Sequence, residues 1–546
     1  MSDVARSGPP NVEGDRPPSH ARAPRRLGDL IGTLEARGQL RSVRGGPEAK
    51  AASLTDVAAT PVGGVTNDSR RVRPGTLFVA VPGFHHDGHD FAAQAVAGGA
   101  AALVVERPVG GLAVPQLVVE RSQLALPVAA AWWEGWPSRE IGVVGVTGTD
   151  GKTTTTFLLA AMLAAAGSPA GLIGTVEIGV GGRRWPNEDR TTTPDAPDLQ
   201  GLLRAMVEAG DRFAVVEATS HGLALERVGE VAFDVGVITN VTHEHLEFHG
   251  THEAYRAAKR SLMDRLAISP DNPEKGWGKH AVLNRDDRWY EEFAEAARTA
   301  GARLWTYGAD PEADLRVTSV AEDASHLTVG VATPRWSGTL RLRLAGRFNV
   351  HNALAAVGVG EALELDPEAI RSGLESVTGV PGRMERIELG QPFGVIVDYA
   401  HTPDSLAKVL DILAPVAAAG GGELIAVFGS AGERDTIKRA VMGRIAGERA
   451  RLVVVTDEDP RLEDRDEINR QIAEGAVEAG KTEGRDLLVI ADRQEAINAA
   501  MEHAKPGDVV LLAGKGHESS IIYGTEKTPW DDREAARMAL RALGYG

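Results

Sequence analysis

The segment 144–156, VGVTGTDGKTTTT, constrains this chain more than any other. An apolar, β-branched run, IGVVGVTG (141–148), ends on a glycine and gives way to Gly151-Lys152-Thr153. Such a run fits a parallel strand buried on both faces. Gly148 and Gly151 let successive backbone N–H groups curl around a phosphate, and a helix beginning near Lys152 adds the positive end of its dipole. Gly148, Thr149, Asp150, Gly151, Lys152, Thr153 and Thr154 then form a nucleotide-phosphate cradle. Lys152 reaches the β/γ-phosphates and the Thr153 hydroxyl binds Mg²⁺. The strict G-x₄-G-K-[ST] spacing is broken once, because Val146 stands where the first glycine belongs. A glycine-rich turn with a solvated lysine is the alternative. It leaves unexplained the strand before the loop and the helix after it.

A loop of this kind belongs to an α/β sheet, and the flanking sequence supplies one. FAVVEAT (213–219), VGVITNV (235–241) and AVLN (281–284) read as strands, and 252–267 and 289–301 as helices. A more antiparallel patch is predicted at 314–346. After VPGR (380–383) the alternation resumes with strands at 394–400, 423–429, 451–457, 486–492 and 508–514. Before the loop, 27–137 reads as a small α/β module. The first 26 residues hold five prolines and no apolar core segment, and read as a disordered tail rather than a signal peptide. At roughly 100–200 residues per domain, 546 residues divide into three, 27–137, 138–380 and 381–546, with parallel sheets and right-handed crossovers.

Charge narrows the partners. With 59 basic and 76 acidic residues the net charge is −17, which repels nucleic acid and anionic lipid. A phosphorylated substrate must be held by a local site. The absence of cysteine excludes disulfides, thiolate nucleophiles and Cys-ligated metals. No run of 18 apolar residues predicts membrane insertion, and a cytoplasmic, monomeric protein is expected.

Ten strings in order carry a family resemblance beyond the loop: DSRRVRPGTLFVAVPGFHHDGHDF (68–91), TTTP (191–194), EATSHGL (217–223), TNVTHEHLEFHG (239–250), YRAAKRSL (255–262), GRFNVHN (346–352), VPGRMER (380–386), DYAHTPDSL (398–406), TDEDPR (456–461) and GKGHE (514–518). Together with TGTDGKT they resemble the Mur ligase family, in particular the branch that adds the third residue to UDP-N-acetylmuramoyl-L-alanyl-D-glutamate. The resemblance implies three domains: UDP-binding, a central P-loop-type parallel-sheet ATPase, and a Rossmann-like C-terminal domain. It implies that ATP converts a carboxylate to an acyl phosphate, which a free amine then attacks. Such chemistry needs positioning and charge neutralisation rather than a nucleophile.

By the same resemblance Glu217 and Thr153 hold one Mg²⁺ and His245 a second. Lys259, one helical turn after Tyr255, carries a CO₂-derived carbamate that also faces the metal. Asn349, Asn352, Arg383 and Asp398 bind the nucleotide, although helix capping is an alternative for Asn349. Asn67, Ser69, Phe84, His85 and His86 take the uridine diphosphate end, while Thr192, Thr193, Thr219, Ser220 and Arg227 hold the sugar and peptide. Arg434, Glu458, Asp459, Pro460, Arg461, Gly514 and Glu518 form the amino-acid pocket. Diaminopimelate-using members usually show DNPR where this chain has Glu458-Asp459-Pro460-Arg461. The added carboxylate would repel the distal carboxylate of diaminopimelate and attract the bare ammonium of L-lysine or L-ornithine, which favours the latter two. Asp459 as a turn-former before Pro460 is the alternative. Two other functions fit parts of the pattern: a folylpolyglutamate- or cyanophycin-type amide ligase, and a nucleotide-binding regulator without catalysis.

Overall fold

Unbroken apolar strands need cover on both faces, and in the larger parallel sheets packed apolar clusters supply it. The structure, a computed structural model, describes residues 22–45, 54–83, 86–187, 191–242, 246–268, 275–322 and 326–546. The chain forms two compact units. One comprises Met1–Thr318, Gly330–Gly338 and His351–Leu374, and the other Ser319–Val329, Thr339–Val350 and Glu375–Gly546.

In the first unit the strands Ala170–Ile173, Phe213–Glu217, Gly142–Thr147, Val235–Ile238, His280–Asn284 and Arg303–Gly308 lie side by side in that order, all parallel. Val143, Val216, Phe233, Leu262 and Leu283 pack into one core on this sheet. The helix Lys152–Ala165 begins at the residue the sequence suggests. A hairpin that the sequence reading did not identify extends the sheet: Glu177–Val180 pairs antiparallel with Arg183–Pro186 across Gly181 and Gly182. Both glycines have positive φ, +57° and +77°, as a tight two-residue connection requires. A second sheet in this unit runs Leu40–Arg44, Gln116–Val119, Ala102–Val105, Thr76–Val79, Gly64–Thr66.

Within the segment expected as a tail, residues 22–26 make defined contacts. Arg25–Arg26 pairs antiparallel with Pro61–Val62, and Arg22 bonds to the Glu134 carbonyl and to Glu208. The guanidinium groups find acidic and carbonyl partners that composition alone could not reveal.

The second unit holds a sheet in the order Glu385–Arg386, Gly394–Asp398, Val509–Ala513, Leu424–Phe428, Leu452–Val455, Leu487–Val489, parallel except for its first pair. Leu410, Phe428 and Met442 cover one face, and Val395, Val427, Ile497 and Leu540 the other. The hairpin Ser520–Tyr523 with Glu526–Pro529 follows, also unforeseen. Among the described residues no helix is long and apolar enough to cross a membrane.

Candidate functional site

The phosphate loop is built by two glycines that nothing else can replace. Gly148 leaves its strand at φ +150° and Gly151 caps the helix at φ +85°. A Cβ at Gly148 would overlap Thr239 Oγ1, and one at Gly151 would overlap Asn352 Oδ1. Val146 in turn is still within the strand Gly142–Thr147, so the loop starts two residues later than the strict spacing assumes. The first intrahelical bond runs from Thr155 N–H to the Gly151 carbonyl, 2.9 Å, so the N–H groups of Lys152, Thr153 and Thr154 point out of the helix end. Thr149 and Asp150 act differently from expectation. Their N–H groups are held by the carbonyl and side chain of Asn240, at 2.7 and 3.0 Å, so they shape the loop rather than offer donors to a phosphate. Asn240 braces the loop, a contact that sequence reasoning passed over.

Two lysines converge on this loop. Lys152 Nζ donates to the carbonyls of Gly148 and Thr149, at 2.9 and 2.8 Å. Lys259, only 1% exposed, donates to the same Gly148 carbonyl at 2.6 Å. Its Nζ lies 4.6 Å from the centre of the Tyr255 ring, one turn away on the same helix, and the Tyr255 hydroxyl bonds Thr149 Oγ1 at 3.0 Å.

Glu217, fully buried, ends its strand opposite Val146 and so stands beside the loop. It accepts from Thr153 Oγ1 at 3.2 Å, from Thr175 Oγ1 at 2.9 Å and from Thr175 N–H at 3.1 Å. A hydroxyl and a carboxylate at this spacing are hard oxygen donors suited to Mg²⁺. A Cβ at Gly174 would overlap Glu217 Oε1, so a small residue is needed there to admit the carboxylate. Thr175 carried no sequence signal because it lies in an irregular stretch after a strand. His245, Phe84 and His85 lie outside the described residues.

The segments TTTP and EATS, which start 26 residues apart, meet here. Thr193 Oγ1 donates to the Glu217 carbonyl at 2.7 Å and contacts Thr219 Oγ1 at 3.0 Å. Thr192 Oγ1 meets Thr175 Oγ1 at 2.9 Å, and Ser220 is buried at the start of the short helix that Thr219 caps. Arg227 bonds the Thr193 carbonyl at 3.0 Å and pairs with Asp195 at 2.9 Å, while the other Asp195 oxygen accepts from Asn67 at 3.4 Å. Asp195 therefore ties a residue expected at the uridine end to one expected at the peptide end. Ser69 opens a short 3₁₀ turn and bonds Gln94, and His86 is exposed with its ring edge-on to Phe91.

Of the residues expected to bind the nucleotide, Asn352 is buried against Gly151. Asn349, Arg383 and Asp398 belong to the second unit. Asn349 Nδ2 donates to the Ala345 carbonyl at 2.7 Å. Both Asp398 oxygens accept backbone N–H groups, from Met384 and Ala400 at 2.8 Å, which fixes the turn carrying Arg383 over the Tyr399 ring. Asp398 thus acts on Arg383 rather than presenting its own oxygens.

In the same unit Asp459 is neither a free charge nor a simple turn residue. It is 3% exposed, pairs with Lys515 Nζ at 2.8 Å and accepts from Ile522 N–H at 2.9 Å. Lys515 also pairs with Glu518 at 2.6 Å. Gly514 has φ +104° and faces Glu458. Arg461 sits in the left-handed region at φ +56°, and Arg434 is exposed. Burial pushes the Glu458 carboxyl up to about 7, against the pull of Lys438 and Lys515. The folded chain then holds a proton that the unfolded chain releases near 4.5, so stability falls as pH rises from there through about 7. Glu458→Gln is expected to remove on the order of 3 kcal/mol of that loss, seen as a flatter pH dependence of the urea-unfolding free energy.

Three families of domain match the chain: "Mur ligase family, catalytic domain" at 61–126, "Mur ligase middle domain" at 146–360 and "Mur ligase, glutamate ligase domain" at 382–516. A UDP-N-acetylmuramyl-tripeptide synthetase of Roseiflexus sp. (strain RS-1) is 51% identical over 491 residues, 89% of this chain and 96% of that protein. A UDP-N-acetylmuramoyl-L-alanyl-D-glutamate–2,6-diaminopimelate ligase of Geobacter metallireducens is 41% identical over 500 residues, 89% of this chain and 95% of that one. A solved structure of a ligase with the latter title aligns at TM-score 0.62 and 29% identity, covering 92% of this chain and all of that one. With each of its α/β blocks matched and the phosphate loop formed, the chain belongs to the Mur ligase family of ATP-dependent amide ligases.

Proposed function

We propose that this enzyme joins a free diamino acid to the D-glutamate carboxylate of UDP-N-acetylmuramoyl-L-alanyl-D-glutamate, with 27–137 binding the uridine end, 138–380 binding ATP and 381–546 binding the amino acid. The observation that carries this reading is the placement of Glu217. Its side chain is bonded to Thr153 of the phosphate loop, and its backbone carbonyl to Thr193 of the candidate peptide-binding threonines. One residue therefore spans the site of the triphosphate and the site of the acid it would activate.

In this reading the outward N–H groups of Lys152–Thr154 and the Lys152 ammonium hold the β/γ-phosphates. Thr153 and Glu217 would hold one Mg²⁺, and His245 and a carbamylated Lys259 would help hold a second; such ions would supply charge neutralisation for phosphoryl transfer. The substrate carboxylate takes the terminal phosphoryl and ADP departs. The amine then attacks the acyl carbon, losing its proton as phosphate leaves. Thr192, Thr193, Thr219 and Arg227 orient the acid so that its oxygen, not water, is nearest the phosphorus.

The test supplies purified protein with ATP, Mg²⁺, the UDP-linked dipeptide and, separately, L-lysine, L-ornithine or meso-diaminopimelate. Phosphate release and a tripeptide product of the matching mass are expected. Release with none of the three, together with release on a folate plus glutamate, would overturn the reading.

L-lysine or L-ornithine remains our preferred acceptor, for a different reason from the charge of Asp459 alone. Asp459 and Glu518 share the single Lys515 ammonium, a trio that carries one net negative charge and would favour a distal ammonium. A distal carboxylate would be repelled. The name of the Geobacter relative points the other way. Asp459→Asn frees Lys515 to neutralise Glu518, and is expected to shift the ratio of kcat/KM values roughly tenfold towards diaminopimelate. An unchanged ratio refutes the charge argument.

A further inference from the structure

We propose that Arg493 is a positioning residue for the amino-acid pocket, a buried clamp that holds the bases of its two loops in register. The proposal rests on the reading above that Glu458–Arg461 and Gly514–Glu518 form that pocket. Arg493 opens the helix Arg493–His503, where a cation opposes the helix dipole. It is 1% exposed, and desolvating a guanidinium is costly unless every donor finds an acceptor. A residue placed against both penalties has a compensating set of bonds.

Those bonds are specific. Nε and Nη2 donate to the two oxygens of Asp532, each at 2.7 Å, and this pair is wholly buried. Nη1 donates to the Asp457 carbonyl at 3.0 Å, and Nη2 to the Ala513 carbonyl at 2.9 Å. Asp457 immediately precedes Glu458, and Ala513 immediately precedes Gly514. The strands that deliver these two residues, Leu452–Val455 and Val509–Ala513, are not neighbours, because Leu424–Phe428 lies between them. No ladder hydrogen bond can link them, so the guanidinium fork spans the gap beyond the intervening strand. Asp532 aims the fork and is itself held by Trp530 Nε1 at 2.8 Å. Above the clamp, Lys515 bridges Asp459 of one loop to Glu518 of the other, so a shift of either base would pull that bridge apart. Lysine at 493 would keep the charge but offer a single nitrogen in place of a planar three-nitrogen fork.

The experiment measures steady-state KM for ATP, for the UDP-linked dipeptide and for the best of the three acceptors in Arg493→Lys, Asp532→Asn and Glu518→Gln. Arg493→Lys and Asp532→Asn are expected to raise the acceptor KM roughly tenfold or more, with the other two KM values within about twofold. A purely structural role would lower the active fraction, and with it kcat, and leave all three KM values alone. That outcome, with Glu518→Gln raising the acceptor KM, overturns the inference and spares the pocket. An unmoved acceptor KM in Glu518→Gln overturns the pocket reading and the inference with it. If Arg493→Lys does not fold, Asp532→Asn decides, since it keeps the arginine and its volume.

Discussion

Lys259→Ala is expected to abolish ligation while the protein stays folded. The native lysine is buried, and its ammonium shares the Gly148 carbonyl, 2.6 Å away, with that of half-buried Lys152 at 2.9 Å, which also donates to the Thr149 carbonyl. Two cations that share one carbonyl repel each other, and more strongly where burial limits screening by solvent. The proposed chemistry removes the conflict. A neutral amine adds to CO₂, a C–N bond forms, a proton leaves the nitrogen, and the cation becomes an anion beside Lys152. Losing that anion removes charge organised around the transferring phosphoryl, and kcat should fall by about 10³ or more. Formate or acetate, small enough to occupy the vacated space, should restore part of the rate to Lys259→Ala and none to wild type. Circular dichroism and the melting temperature report the fold, and ¹³C-bicarbonate labelling reports the carbamate directly. Full activity in Lys259→Ala would show the lysine unmodified and dispensable.

The parts of this molecule that were legible in the sequence share one property, that local composition decides them. The strand Gly142–Thr147 and the strands Gly394–Asp398, Leu424–Phe428, Leu452–Val455 and Val509–Ala513 of the second unit are buried almost throughout, so their residues form apolar runs. The two hairpins at Glu177–Pro186 and Ser520–Pro529 are short and partly exposed, and polar residues blur their alternation. Gly181-Gly182 was the one available signal for the first of them. The site divides along the same line. Gly148, Gly151, Lys152 and Thr153 are consecutive or nearly so, and their spacing is itself the signal. Thr175 meets Glu217 across 42 residues, and Asn240 meets Asp150 across 90, so nothing nearby in sequence announces either. Asp459 shows the limit most clearly. Its charge is plain in the sequence, but the Lys515 ammonium that it shares with Glu518 lies 56 residues away, so the local field depends on a partner that nothing near Asp459 announces.

Glu217→Gln should also reduce kcat by about 10² or more, and here the magnesium dependence discriminates between explanations. The carboxylate receives the Thr153, Thr156 and Thr175 hydroxyls and the Thr175 N–H. Glutamine has almost the same shape, and it replaces one acceptor oxygen by a donor. The hydroxyls can rotate and become acceptors, but the Thr175 N–H cannot. The amide oxygen must therefore face Thr175, which turns the NH₂ towards Thr153, the hydroxyl proposed to share the metal. The fold loses one charge and keeps its hydrogen bonds, so the melting temperature should move by only a few degrees at most. The Mg²⁺ concentration at half-maximal rate should rise at least tenfold, because an oxygen ligand has become a hydrogen-bond donor. An unchanged Mg²⁺ titration with a lowered melting temperature would make Glu217 a packing residue that holds Thr175 in place. A shifted titration with an unchanged melting temperature separates its metal chemistry from that scaffold role, which no alanine substitution at this buried position could do.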